Sequence, residues 1–221
     1  MINYKYNRQG IFSESLSLPW PGLLDILIAI LAVFILLISS FLISKSNFIV
    51  AASNVRKQLV IQERQQQVSD SLKSYFKRYH PKVEIQITSD GSVQKIRLPG
   101  ELLFQSGSTK LNMVNLNVLN DIAKIISYFD EKKYFLSIEV EGHTDDVPVK
   151  ESAPFKDNLE LSALRAVEVV RFLNKQNIIK RAIISAVGKS FYEPYDDKND
   201  ENIIIQRALQ RRIEIRLLYS I

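Results

Sequence analysis

Residues 136–166 read LSIEVEGHTDDVPVKESAPFKDNLELSALRA, and the change of periodicity within this stretch decides the fold. Leu136, Ile138 and Val140 alternate with Ser137, Glu139 and Glu141, the two-residue period of a half-buried strand. From 161 to 174 the apolar residues Leu164, Val167, Val170 and Leu173 recur at helical spacing. A strand that passes through a loop into a helix is the repeating unit of an α/β sheet. The flanking sequence repeats the pattern. Val83, Ile85 and Ile87, then Val93, Ile96 and Leu98, flank Asp90-Gly91 as a hairpin. Residues 112–129 carry Val114, Leu116, Leu119, Ile122, Ala123, Ile125 and Ile126 on or near one helical face, and 183–187 and 213–217 read as strands. Residues 81–221 are therefore expected to form one α/β (α+β) domain, a βαβαβ-type mixed sheet covered by helices.

Upstream the character changes. Residues 23–43 read LLDILIAILAVFILLISSFLI, with Asp25 as the only charge. At about 1.5 Å per residue such a helix is roughly 31 Å long, the thickness of a bilayer's hydrocarbon core. The segment 19–44 is expected to be a single transmembrane helix, with Trp20 as an interfacial aromatic and Pro19 and Pro21 in the first turn. A cleaved signal peptide is the alternative, with Lys5 and Arg8 before the apolar run and Val50-Ala51-Ala52 after it. The run is longer than a secretory apolar region and carries an acid. Residues 1–18 are then an amino-terminal tail, and 45–80, rich in Gln, Ser and basic residues, a partly helical linker or stalk. On charge alone the positive-inside rule mildly favours the side after the span as the cytoplasmic one, because Lys45, Arg56, Lys57 and Arg64 follow it.

Composition removes several classes of function. The chain of 221 residues has no cysteine, which excludes disulfides, thiolate metal sites and a cysteine nucleophile. Its two histidines, His80 and His143, lie far apart, so neither a metal site nor a cofactor is expected. A net charge of +5 is too weak and diffuse to indicate nucleic acid. No nucleophile with an ordered acid–base partner appears, so the chain does not read as an enzyme.

Two constellations carry chemistry. Asp25 sits in an apolar span, where a carboxylate costs several kcal/mol and marks a functional site by default. Alternatively, it lies close enough to the boundary to sit at the interface or cap the helix. The second is Asp145 at a strand end with Arg165 one turn into the next helix. Such a pair suits a zwitterion, with Arg165 gripping a carboxylate and Asp145 an ammonium. A structural ion pair would use the same residues, and His143 has an equally structural reading.

Five ordered motifs carry a resemblance. They are Phe104-Gln105-Ser106-Gly107-Ser108, Glu141-Gly142-His143-Thr144-Asp145, Asn158 with Leu161-Ser162 and Arg165-Ala166, Gly188-Lys189-Ser190 with Glu193-Pro194, and Arg211-Arg212-Ile213-Glu214-Ile215. Together they resemble the OmpA-like peptidoglycan-binding domain over about residues 83–218. The resemblance implies that Asp145 and Arg165 bind the diaminopimelate unit of the peptidoglycan stem peptide, with Thr144, Asn158 and Leu161 lining the groove. Gln210 departs from the Asn usual before the paired arginines, and the insertion 147–156 resembles the motor-protein branch.

Joined to one span bearing an acid, the domain resembles MotB-type stator subunits, and in size most nearly the ZorB type of the Zorya anti-phage system. The surroundings Leu23-Leu24-Asp25-Ile26-Leu27 depart from those typical of flagellar members. The resemblance implies an inner-membrane protein with a cytoplasmic amino terminus and a periplasmic carboxy-terminal domain. It also implies a homodimer inside a pentameric MotA/ZorA-like ring, with Asp25 as the ion-carrying residue. Flagellar service and a non-conducting wall tether are the alternatives.

Overall fold

The computed structural model describes residues 20–105, 107–175, 179–195 and 202–220. The expected tail 1–18, Pro19 and Ser106 lie outside them. The chain divides into two compact units, Met1–Ser53 and Asn54–Ile221.

In the first unit the described residues belong to helix α1, which runs from Trp20 to Tyr79. Its side chains from Gly22 to Ser53 are exposed, and it is long and apolar enough to cross a membrane. The linker expected over 45–80 is helical throughout, because no Gly or Pro interrupts it between Gly22 and Pro81. Pro81 disfavours helical geometry at His80, and the last turn closes with His80 N donating to Phe76 O at 2.8 Å.

The second unit begins well before residue 81. Ile61, Val68, Leu72 and Phe76 recur along one face of α1 and are buried in the core of this unit. Polar contacts fix the same stretch: Gln65 donates to Gly91 O at 3.1 Å, and Arg64 donates to Ser220 O at 2.6 Å. The final turns of α1 are thus a core helix, where the sequence reading expected a spacer.

Five strands follow in the order β1-β2-β5-β3-β4, namely β1 (Gln86–Asp90), β2 (Val93–Pro99), β3 (Phe135–His143), β4 (Ile183–Ser190) and β5 (Arg212–Tyr219). β3 and β4 pair parallel and the other neighbours antiparallel, giving a mixed sheet. Helices α2 (Gly100–Leu103), α3 (Leu116–Glu131), α4 (Asn158–Lys175) and α5 (Ile203–Gln210) lie between the strands in sequence. The α/β domain expected from the sequence is present, with α5 as an element the sequence reading did not anticipate.

The sheet has two unlike faces. Ile96, Leu98, Ile138, Val140, Ile213, Ile215 and Leu217 form one, packed with α1, α3 and α4 into a single apolar core. The other carries Arg97, Glu139, Glu141, Arg212, Glu214 and Arg216. Leu136 is a miss of the alternation, 58% exposed, while Phe135 is buried. A bulge between Phe135 and Ser137 against β5 shifts the strand by one residue and flips the side chain outward.

Helix α4 also presents a different stripe from the one expected. Ser162, Ala166, Val169 and Leu173 face inward, whereas Leu164, Val167 and Val170 lie toward the flank. Close approach explains this. A Cβ on Gly142 would lie 2.0 Å from Ser162 O, and one on Gly188 2.8 Å from Ala163 Cβ and N. These two glycines are partners across β3 and β4, and only small residues fit between sheet and helix there.

Candidate functional site

The close packing at Gly142 and Gly188 sets the first turns of α4 against the ends of β3 and β4. Helix α4 starts three residues earlier than expected, because Asp157 caps it: Glu160 N donates to Asp157 Oδ1 at 2.8 Å. Glu160 answers by accepting from Lys156 N at 2.7 Å, a capping-box variant. Ser162 Oγ accepts from Ser190 N at 3.0 Å, holding Ser190 in a left-handed conformation with φ of 51°. Ser190 O in turn accepts from Thr144 N at 3.0 Å.

Between this junction and the loop 147–156 lies a cavity of about 560 Å³. Thr144, Asp145, Asn158, Leu161 and Arg165, all named from the sequence, line it. Their roles in the geometry differ. Asn158 is buried and its amide donates to Asp145 O at 3.2 Å and Val147 O at 2.9 Å, so it holds the loop after β3 in place. Leu161 supplies apolar wall. Thr144 is buried, with its Oγ1 lacking a hydrogen-bond partner among the described residues.

Arg165 is only 5% exposed. Its Nε donates to Ser108 O at 2.9 Å and its Nη2 to Gln105 O at 3.4 Å, and the guanidinium carbon lies 5.2 Å from the centre of the Phe104 ring. Among the described residues no carboxylate reaches it at ion-pair distance. Burial first, then the neighbouring Arg211 cation, lowers its pKa, and Asp145 only partly opposes them.

Asp145 does not pair with Arg165, as a structural ion pair would. Its Oδ2 accepts from Arg211 Nη1 at 2.7 Å, and its Oδ1 from Val147 N at 3.3 Å. Arg211 is thus a site residue that the sequence reading left unassigned. It precedes β5, and the pairing of Gly142 with Ile213 brings it beside the end of β3. That antiparallel register has no local sequence signal.

Next to the cavity, on the polar face of the sheet, lies a second buried cluster. Ligand atoms of Glu141, His143 and Glu214 fall within 4.8 Å of one another, a grouping able in principle to hold a metal ion. Cations already fill that role. Glu141 Oε1 accepts from Arg216 at 2.9 Å with Lys189 Nζ at 3.3 Å, and Glu214 Oε1 accepts from Arg97 at 2.8 Å and Arg212 at 2.7 Å. Burial would raise the Glu141 carboxyl, but His143, Arg216 and Lys189 outweigh it and hold it down to about 2. His143 Nε2 stands 3.8 Å from Glu141 Oε2, and among the described residues neither ring nitrogen has a hydrogen-bond partner.

Asp25 belongs to the first unit, near the start of α1, with its side chain exposed.

Comparison with known proteins agrees with this fold. Residues 103–206 match the OmpA family. Motility protein B of Bacillus subtilis is 26% identical over 160 residues, covering 71% of this chain but 57% of that protein. The chain therefore spans less than two thirds of that relative. A crystal structure of a MotB-like protein from Desulfovibrio vulgaris superposes with a TM-score of 0.63 at 29% identity, covering 74% of this chain and 99% of the other. The periplasmic domain of Helicobacter pylori MotB gives 0.52 at 26%, covering 62% and 89%. The five-stranded unit is an OmpA-like domain, and MotB-like proteins are among those that share it with this chain.

Proposed function

We propose that this chain is a wall-anchored, ion-carrying stator subunit of MotB type. In this reading it is a single-span protein of the inner membrane with its amino terminus in the cytoplasm. Its OmpA-like domain binds the peptidoglycan stem peptide in the periplasm. The observation that carries the reading is Arg165, a buried guanidinium fixed by two backbone carbonyls, facing the cavity, with no carboxylate at ion-pair distance among the described residues. A buried charge left unpaired is costly, and a ligand carboxylate removes that cost. Each charge-assisted hydrogen bond is worth about 1.5–3 kcal/mol. Asp145 stands beside it, and its carboxylate takes the ammonium of the same zwitterion while also accepting from Arg211. Binding of this kind is non-covalent, and the chain acts as an anchor and conductor, not an enzyme.

Asp25 supplies the second half of the function. Two copies of the span stand inside a pentameric MotA/ZorA-like ring, and each Asp25 takes up an ion from one side and releases it to the other. A charge crossing the membrane releases about 2.3 kcal/mol per 100 mV, which drives the ring stepwise around the anchored pair. The surroundings of Asp25 favour a ZorB-type defence motor over flagellar propulsion, and loss of phage resistance against loss of swarming on gene deletion separates the two.

The test is purification with a multi-span partner, followed by two variants. Arg165→Met is expected to abolish binding of the full chain to isolated sacculi. Asp25→Asn is expected to leave the complex assembled and inactive. An Arg165→Met protein that still binds sacculi as tightly as the parent overturns the anchor. A silent Asp25→Asn reduces the protein to a wall tether.

A further inference from the structure

The charged side chains lining the cavity are Asp145, Lys150, Arg165 and Arg211, three cations to one carboxylate. A zwitterion brings one charge of each sign and leaves that excess of cations unchanged. Asp145 pairs with Arg211, and among the described residues the cavity cations with no carboxylate at ion-pair distance are Arg165 and Lys150. The two approach the space from different elements, Arg165 from α4 and Lys150 from the loop 147–156, so two carboxylates spaced along one ligand would answer both.

The loop that carries Lys150 is a built wall. Phe155 is buried beneath it, Asn158 binds its first carbonyl at Val147, and Ala153 N donates to Lys150 O at 2.9 Å, closing a turn. Lys150 itself is exposed and has no carboxylate within ion-pair distance among the described residues. The cavity also exceeds what one amino-acid head requires. Its volume of about 560 Å³ falls among sites that house whole drug-sized ligands, about 300–1,000 Å³. Pro148, Phe155 and Leu161 give it apolar wall for the intervening chain.

We infer that the groove takes a peptide bearing two carboxylates to one ammonium, and that Lys150 reads the second carboxylate, the one outside the zwitterionic centre held by Arg165 and Asp145. This rests on the peptidoglycan reading above and narrows it to stem peptides whose second carboxylate is free rather than amidated. Lys150 then acts as a specificity residue carried by the inserted loop, while Arg165 supplies the main anion contact.

The experiment titrates the detergent-solubilised full chain with a disaccharide tripeptide containing diaminopimelate. The same compound is also used with each carboxylate outside the zwitterionic centre amidated in turn. Amidating one of them is expected to weaken binding by about five- to tenfold in the parent and by less than twofold in Lys150→Gln, with the Lys150→Gln affinity for the free compound falling to that of the amidated one. Equal binding of all compounds by the parent overturns the inference and leaves the stem-peptide reading standing. A Lys150→Gln protein that keeps the parent's preference overturns the assignment to Lys150. If the parent binds none of the compounds, the stem-peptide reading itself falls, and the inference with it.

Discussion

Arg165 and Arg212 are equally buried, each 5% exposed, yet their surroundings differ in kind. Arg212, on the polar face of the sheet, donates to Glu214 Oε1 at 2.7 Å and to Glu193 O at 3.1 Å, and its neighbour Arg97 shares the same carboxylate. Arg165, at the head of α4, has two backbone carbonyls, an aromatic ring and an open cavity. The first cation is neutralised by its own chain and the second is not. A buried charge answered inside the fold belongs to the structure. One held in place and left unanswered at a cavity is arranged for something that arrives from outside. If the contrast is real, disturbing the two regions must give opposite results: stability should fall on the sheet, and binding at the groove.

The largest effect is expected at Glu214. Glu214→Gln leaves Arg212 and Arg97 around an uncharged amide in a buried setting, and breaking such a pair costs about 3–5 kcal/mol. Urea unfolding of the full chain measures it, with sacculus binding by the surviving folded fraction unchanged. A Glu214→Gln protein as stable as the parent would mean the polar face is not a structural network.

Acid should reach the same cluster next. Glu141 has its folded pKa held at about 2 against an ordinary value of 4.5. Because the folded value is depressed, the stability it contributes is complete above about pH 4.5 and is lost as pH falls toward about 2. The carboxyl of Glu214 is also lowered: burial opposes the shift, and Arg212 and Arg97 outweigh it, so it adds in the same direction. The unfolding midpoint should therefore drop through that window in the parent, and drop less in Arg216→Met. A midpoint flat from pH 5 to pH 2.5 would break the assignment.

How much of this was legible beforehand follows from where each signal resides. Strand and helix alternation, the apolar span and the motif around Asp145 are local in sequence, and each led to the right element. Leu136 failed because a bulge opposite β5 displaces the alternation, and a bulge is a property of the pairing. The stripe of α4 failed because Gly142 and Gly188 admit only small residues, so Ser162 and Ala166 face inward in place of larger neighbours. Ile61 and Phe76 look like parts of a solvated connector until a sheet is present to receive them. Asp157 and Glu160 were a readable cap that would have moved the start of α4 to its place. Arg211 stands inside the fifth motif, but its contact with Asp145 could not be read there, since the register that brings them together joins segments 66 positions apart. The groove was legible in its own motif residues and illegible in what the far end of the chain adds to them.

At the groove the effects on stability become smaller and those on binding larger. Arg165→Met keeps an apolar stem over Phe104 and loses hydrogen bonds to two carbonyls while removing an unpaired buried charge, terms of a few kcal/mol each and opposite sign. Its urea midpoint is expected close to the parent's, alongside the loss of sacculus binding. A destabilisation as large as that of Glu214→Gln would place Arg165 with Arg212 and erase the contrast.

The smallest effect should come from a pair that looks stronger than either. Asp146 accepts two hydrogen bonds from Arg207, at 2.7 and 2.9 Å, and Arg207 holds its carboxyl below the usual range. Both side chains are exposed, 57% and 38%, so water and salt compete for every contact the pair makes. Geometry alone would rank this bidentate pair with Arg212 and Glu214; burial ranks it far below. Asp146→Ala should leave the urea midpoint at the parent's value at 0.15 M salt and leave sacculus binding intact, although Asp146 directly follows Asp145. A clear fall in stability would show that α5, which carries Arg207, is held to the domain mainly by this pair, and that exposure is a poor guide to the worth of charges here. A fall in binding with stability unchanged would instead extend the groove past Asp145, and the division between answered and unanswered charges would have to be redrawn one residue further along the loop.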